Sequence, residues 1–591
     1  MEWRRVNSLF VCFALILFSA VFISASAAVK TAPTWDEPTY IAGGYYYLKT
    51  GDPRMVTGLP LNTMILAGAP LIFNNPPLPP DAGSYVDISY VKFGHYFLFG
   101  QEIDVEKAVF LSRIPFIIVF ILLGIFVFFW ARELYGKRAA LLAFFLYSFS
   151  ATVLAYSFIV CADLLLAAFG FISIFFFWSF VKKRKLRWLF LSSVFFALSL
   201  NTKLNALFLI PIFVCLFAAL LLKKVRPEAS WKKLRLFNKE SFPCYLKSFF
   251  IIALIFGAVT FVIIFSAYGF QFAPLEDGVP QSYTERGLEV VSGTPVEGFA
   301  TKMIGVPVPF PTYLGGFFVH GFVSSHSVKK SYLFGETYSG GKWYYFPVEM
   351  LIKVQIPLML LLLIVIFFFR KVKSDWLSES FLIIPPLIYL LLFLPNTVNS
   401  DIRHLLFIFP FLFVFVSKIV KVRLKETARK ALSALMIVLV VWYALSTVLI
   451  YPHFLSYFNE FVGPDNGHKY LVGGNLDWGQ DINSLADYLH SNNIEKVSLS
   501  YFGSADPSYY GIEYDYLPSP VWQPWVPDYA PFESGSFSYS SNCSERSGYV
   551  AVSLTNLHGV YLLNETCYSW LFPEEPSARI GHSIWVYNLT G

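Results

Sequence analysis

The stretch "RAALLAFFLYSFSATVLAYSFIVCADLLLAAFGFISIFFFWSFVK", Arg138 to Lys182, carries one charge between its ends, Asp163. It is about twice the roughly 20 residues that a helix needs to cross a hydrocarbon core, so it predicts two helices joined by a tight turn. The flanks "RELYGKR" and "KKRKLR" are both basic. By the positive-inside rule both ends lie on the inner side, and Asp163 sits at the outer tip of a hairpin.

The same design recurs twice. Between Arg187 and Lys223 the sole charge is Lys203, in "LNTKLN", and between Glu379 and Lys418 the charged tip is "NSDIRH", with Asp401, Arg403 and His404. Single spans are expected near 107–130, 248–268, 349–370 and 431–451. With a first helix over Val6–Lys30 the expectation is eleven crossings, the N-terminus cytoplasmic and the C-terminus extracytoplasmic. Most of the 45 Lys and Arg fall on the proposed inner segments, as that orientation requires. The end of the first run, "SASAA", resembles a signal-peptidase site, but the run is longer than secretory apolar regions usually are. A retained helix is favoured, and either outcome delivers the next residues to the outer side.

Composition sets the class. Of 591 residues 56% are hydrophobic, 19% aromatic and only 14% charged, which describes an integral membrane protein of helical spans. The net charge of +6 reflects topology signals, and no nucleic-acid partner is expected. We expect a transmembrane domain over 1–451, with outer loops 30–106 and 269–348, and an extracytoplasmic α/β domain over 452–591. The latter alternates a helix pattern, "DINSLADYLHSNN", with the strand patterns "KVSLSYFG" and "GYVAVSL". Cys543 and Cys567 share that domain and could form a disulfide in an oxidising compartment. Asn542, Asn564 and Asn588 open glycosylation sequons there.

The first outer loop begins "TAPTWDEPTY", with Asp36 and Glu37 adjacent. Alone, "WDE" reads as an interfacial Trp followed by solvated acids. Asp36, Asp163, Lys203 and Arg403 on one side of one membrane suggest a shared site at the outer leaflet. Lys and Arg suit a lipid phosphate, and a carboxylate facing them could take a proton from an attacking hydroxyl. A transporter of lipid or sugar would use similar charges, usually near the bilayer midplane. Both readings stay open on the residues, as does a receptor-like scaffold.

"TWDEPTYIAGGYYYLKTGD", "SRIPFIIVFILLGIFVFFWARELYG" with "CADLLLA", "LNTKLNALFLIP", "KWYYFPVEMLIKVQIP" and "RHLLFIFPFLF" follow one another in an order that resembles the GT-C glycosyltransferases that use polyprenyl-phosphate sugars. These are the protein O-mannosyltransferase and aminoarabinose-transferase-like families. The resemblance implies sugar transfer from a polyprenyl or dolichyl phosphate, mannose being the favoured sugar, to a hydroxyl on protein, glycan or lipid, with inversion. It implies Asp36 as catalytic base with Glu37 beside it, and Asp163 as second acid. Lys203 and Arg403 would hold the donor phosphate, with Lys353, Arg113 and His404 as further candidates. No cofactor is required on this reading, and a divalent metal is left open. One departure is "GLPL" at 58–61, where the family often has "HPPL". In "NLDWGQD", Asp477, Trp478 and Gln480 are assigned to the acceptor, against the alternative of a helix cap with a packed Trp.

Overall fold

The computed structural model describes residues 2–589 except 57–60, 80–81, 85–89, 224–241, 295–296, 319–329, 373–374, 521–542 and 563. Gly58 to Pro60 of "GLPL" and the sequon residue Asn542 therefore lie outside the described residues.

The protein is a mostly helical, multi-pass membrane protein with a C-terminal sheet. Its first helices are α1 (Glu2–Lys30), α2 (Glu37–Thr50), α3 (Val105–Tyr135), α4 (Lys137–Ser148), α5 (Ala162–Lys183), α6 (Leu186–Leu200), α7 (Leu209–Leu222) and α8 (Phe242–Ala267). Next come α9 (Tyr345–Lys353), α10 (Ile356–Phe367), α11 (Trp376–Phe393), α12 (Ile408–Ser417) and α13 (Glu426–Ile450). Among the described residues seven helices are long and apolar enough to cross a membrane, or eight if α9 and α10, bent by 108°, form one span.

The count of eleven is not reached by length. Every expected span contains a helix, but α4, α6 and α12 have 12, 15 and 10 residues. At 1.5 Å per residue these are shorter than the roughly 30 Å hydrocarbon core. Hydropathy alone does not separate a lipid-facing span from a buried apolar element. α5 illustrates the difficulty: Ala162 to Val181 are all buried, so this helix is apolar all round because protein surrounds it.

Packing around α5 is aromatic and polar in turn. Trp130 of α3 meets Phe171, Phe175 and Trp178 of α5 and Phe411 of α12, with ring centroids 5.0–6.0 Å apart. Ser173 and Ser192 each donate to the other's carbonyl at 2.8 Å and fasten α5 to α6. At the opposite end from the hairpin tips, Lys418 donates to Glu379 at 3.0 Å and Tyr135 to the same carboxylate at 2.5 Å, closing α3, α11 and the end of α12.

At the break between α9 and α10 the carbonyls of Leu351, Ile352 and Val354 accept from Asn459, at 2.7, 2.9 and 2.8 Å. Gln355 occupies the break: its carbonyl accepts from Ala151 N at 3.0 Å, and its amide donates to Tyr443 O and Thr447 Oγ1 at 2.9 and 3.0 Å.

The C-terminal sheet has five strands, β1 (Val497–Ser500), β2 (Tyr514–Tyr516), β3 (Gly548–Ser553), β4 (Ala578–Ile580) and β5 (Ile584–Leu589), in the order β2-β1-β3-β5-β4. β1 is parallel to β2 and β3, whereas β5 is antiparallel to β3 and β4. α14 (Ile482–Ser491) buries Ile482, Leu485 and Leu489, one face at helical spacing. The expected helix and both quoted strands are thus present. Cys543 and Cys567 form a disulfide, and Asn564 and Asn588 are exposed.

Candidate active site

Asp36 is the residue before α2, and its loop is held by β-like bonds to the C-terminal segment: Ala32 N to Gln480 O at 3.0 Å and Trp35 N to Trp478 O at 2.9 Å. Asp163 lies in the first turn of α5, where the helix dipole favours an anion. Lys203 precedes the 3₁₀ turn Leu204–Phe208, and Arg403 and His404 ride on the 3₁₀ turn Ile402–Leu405.

These tips converge. Arg403 Nη1 donates to Asp36 Oδ2 at 3.1 Å. Arg403 Nε lies 2.8 Å from Asp401 Oδ2 and 3.9 Å from Asp163 Oδ2, without hydrogen-bond alignment to either. Lys203 Nζ donates to Asp163 Oδ1 at 2.6 Å and to His404 Nδ1 at 2.9 Å. An ammonium has only donors, so His404 must accept at Nδ1 and carry its proton on Nε2, which donates to Ser400 Oγ at 2.8 Å. Trp478 lies under the guanidinium, 4.0 Å from the ring centroid.

The electrostatics are uneven. Asp36 is 24% exposed against 5% for Asp163 and 8% for Asp401, so it is the carboxylate that a molecule arriving from outside can reach. Burial raises its affinity for a proton above that of an ordinary Asp, and Arg403 opposes the rise. Burial works against the Arg403 charge, but Asp401, Asp36 and Asp163 more than offset it. Burial, then Lys203 beside it, keep His404 below the usual histidine range.

Five of the assigned residues, Glu37, Arg113, Lys353, Asp477 and Gln480, are committed elsewhere. Glu37 and Arg113 do not join the cluster. Arg113 gives two N–H bonds to Glu37, at 2.8 and 2.6 Å, and its other three to the carbonyls of Ala28, Thr31 and Ala32. Glu37 also accepts from Thr34 N and Val160 N. Both side chains are fully buried, and all five guanidinium hydrogens are used, leaving none for a phosphate. This pair staples the end of α1 and the Asp36 loop to α3.

Lys353 is likewise committed, donating to Leu455 O at 2.9 Å and Asn475 O at 2.5 Å. Of the three assigned "NLDWGQD" residues, Asp477, Trp478 and Gln480, only Trp478 reaches the cluster. The buried Asp477 carboxylate accepts from Thr555 N and Gly479 N, and Gln480 bonds Trp478 N, Leu476 O and Asp481. Neither is an N-cap, since α14 starts after Asp481.

Asp401 lies in the cluster and Asn475 beside it, and neither had been assigned a role. Asp401 shares its tip with Arg403, a visible signal. Asn475 accepts from Ile402 N at 3.1 Å and so holds the turn that carries Arg403.

Residues 104–237 match the family model described as dolichyl-phosphate-mannose-protein mannosyltransferase. The match covers less than a quarter of the chain. The matched segment contains Asp163 and Lys203, while Asp36 and Arg403 lie outside it. Similar solved structures include ArnT from Cupriavidus metallidurans in the apo state, at 12% identity, 98% of each chain covered and a TM-score of 0.47. The same protein bound to undecaprenyl phosphate gives 12%, 97% of each chain and 0.39. The archaeal oligosaccharyltransferase AglB from Archaeoglobus fulgidus, in complex with an inhibitory peptide and a dolichol-phosphate, gives 14% and 0.37; 90% of this chain covers 62% of that one. No curated protein matches the sequence.

Proposed function

We propose that the protein transfers a hexose, mannose in the first instance, from a polyprenyl or dolichyl phosphate to a hydroxyl of a protein, glycan or lipid acceptor, with inversion. On this reading residues 1–451 form the catalytic membrane domain, the N-terminus is cytoplasmic, and 452–591 lie on the extracytoplasmic side with the site.

The observation that carries the proposal is the contact between Asp36 and Arg403, beside the pair Lys203 and Asp163. Three carboxylates face two permanent cations, so the cluster is short of positive charge for an added anion. A donor phosphate binds Arg403 and Lys203 by taking the place of Asp36 at Nη1. Asp36 is then released toward the acceptor and accepts its hydroxyl proton. The acceptor oxygen bonds the anomeric carbon as the bond from that carbon to the phosphate oxygen breaks. The electron pair leaves with the polyprenyl phosphate, which the cations stabilise. Asp163 stays with Lys203 and keeps the ammonium aimed at the phosphate.

The test is a membrane assay with a polyprenyl-phosphate hexose as donor and peptide, glycan and lipid acceptors. Wild-type protein transfers sugar and Asp36→Asn does not. Equal turnover by both removes Asp36 from the mechanism, and movement of the donor across the membrane without transfer favours a transporter.

A further inference from the structure

The turn Gly473–Asn475 comes from the start of the C-terminal region, yet it touches the machinery at three points. The fully buried Asn475 side chain bridges two elements: Nδ2 donates to Glu349 Oε1 of α9 at 2.6 Å, and Oδ1 accepts from Ile402 N at 3.1 Å. Gly474 packs so closely on Asp401 that a Cβ there would lie 2.5–2.6 Å from the carboxyl group. Three residues on, Trp478 lies under Arg403 and its carbonyl holds Trp35 N, next to Asp36.

The turn is itself fixed from behind. Gly473 N donates to Thr555 Oγ1 at 3.1 Å, Asp477 accepts from Thr555 N at 3.3 Å, and Lys353 holds the Asn475 carbonyl. Thr555 lies in the short helix Leu554–Leu557 directly after β3, so the segment ties the cluster to the C-terminal end of the sheet's central strand.

The geometry points to Asn475 as a positioning residue, which with Glu349 sets the Asp401–Arg403 turn and thereby the separation of Arg403 from Asp36. The inference rests on the glycosyl-transfer reading of that cluster. The chemistry of the bridge is directional. Glu349 Oε1 is an acceptor in this contact, so residue 475 must supply N–H toward residue 349 while accepting from Ile402 N. Asn does both. An Asp of the same shape keeps the second bond but sets a carboxylate against Glu349, whose Oε2 already has no hydrogen-bond partner.

This predicts a swap. Asn475→Asp lowers kcat/KM at least tenfold. Glu349→Gln keeps an acceptor for the Asn475 amide and is milder. The double variant N475D/E349Q restores a donor facing an acceptor at unchanged total charge, and recovers to within threefold of E349Q. A residue that mattered only for folding would lower the melting temperature and the yield of folded protein while leaving kcat/KM per folded molecule unchanged. The assay is sugar transfer from dolichyl-phosphate mannose by purified protein, with binding of dolichyl phosphate measured in parallel by thermal shift. Activity of N475D within twofold of wild type, or a folded double variant no better than N475D, overturns the inference. Binding without turnover in wild type sinks only the transfer reading, and the swap is then scored on binding. Wild type that neither turns over nor binds the lipid phosphate overturns both.

Discussion

Arg403 Nη1 and Asp36 Oδ2 meet at 3.1 Å across 367 residues of chain. The contact places a carboxylate with the most access to solvent against a cation shared with two more deeply buried ones. A rigid structural pair would be better enclosed, as Arg113 and Glu37 are. Asp36 is therefore expected to contribute little to stability and much to rate. Asp36→Asn should lower turnover by roughly 10²- to 10⁴-fold, the usual range for a general base, with the melting temperature nearly unchanged. Parallel rate and thermal-shift measurements decide; a large melting loss with retained rate would reverse the assignment.

Arg113 and Glu37 predict the opposite pattern. Arg113→Met leaves the Glu37 carboxylate buried without its cation, and such changes cost about 3–5 kcal/mol. The expected outcome is poor recovery or a much lower melting temperature, with activity per folded molecule affected less than by Asp36→Asn. The double variant Arg113→Met/Glu37→Gln should recover part of the stability, since no unpaired charge remains. A stable Arg113→Met protein with an increased donor KM would return Arg113 to the phosphate site.

The hairpin tips were legible in the sequence because a lone charge between two apolar runs has few places to go. Asp163, Lys203 and Arg403 were each readable as outer tips, and the fold joins them. What could not be read was which acid of an adjacent pair faces the site. Asp36 and Glu37 differ only in where the chain turns, and Glu37 is claimed by Arg113, 76 residues away. Span length was misread for a related reason: an apolar run shows burial without showing whether lipid or protein does the burying. "NLDWGQD" reaches the cluster through Trp478, but Asn475, Asp477 and Gln480 bond to backbone groups and buried side chains such as Glu349 and Asp481, partners that a single sequence does not mark.

The pH profile of transfer follows from the environment of Asp36. Burial raises its pKa and Arg403 pulls it back, so the base is lost on the acid side, at a pH above the 3.8 of an ordinary Asp. Arg403→Met removes the main opposing charge. Its residual activity should show an acid limb moved to higher pH, together with a weaker donor KM. An acid limb that moves down, or stays while KM alone changes, would mean that Arg403 does not act on Asp36.

Fold stability should also depend on pH, through a second set of residues. His468, His558 and Tyr332 close a ring of bonds: His468 Nδ1 to His558 Nε2 at 2.9 Å, His558 Nδ1 to Tyr332 Oη at 3.1 Å, and Tyr332 Oη to His468 O at 3.0 Å. Tyr332 Oη gives its hydrogen to His468 O, so His558 Nδ1–H donates to Tyr332 and His558 Nε2 accepts from His468 Nδ1–H; the ring breaks when His558 takes a proton, and it joins the strand Lys330–Leu333 to the C-terminal region. Burial lowers His558 to about 3, helped by His468, and lowers His468 to about 4, helped by Lys469 and Arg579 with Asp465 opposing. The unfolded chain thus binds more protons below the ordinary value of 6.5, and stability is lost as pH falls from there toward these values. His453 acts in the other direction. Burial lowers it, but Asp481 at 3.1 Å raises it further, so its contribution is full below 6.5 and fades as pH rises through its folded value. With His95 and His404 also held down by burial, four histidines lie below the ordinary value against one above it, so the histidines together predict a lower melting temperature at pH 5 than at pH 7.5. His558→Gln should flatten that difference and His453→Gln should steepen it; a wild-type protein equally stable at both pH values would show that the ring does not couple to folding.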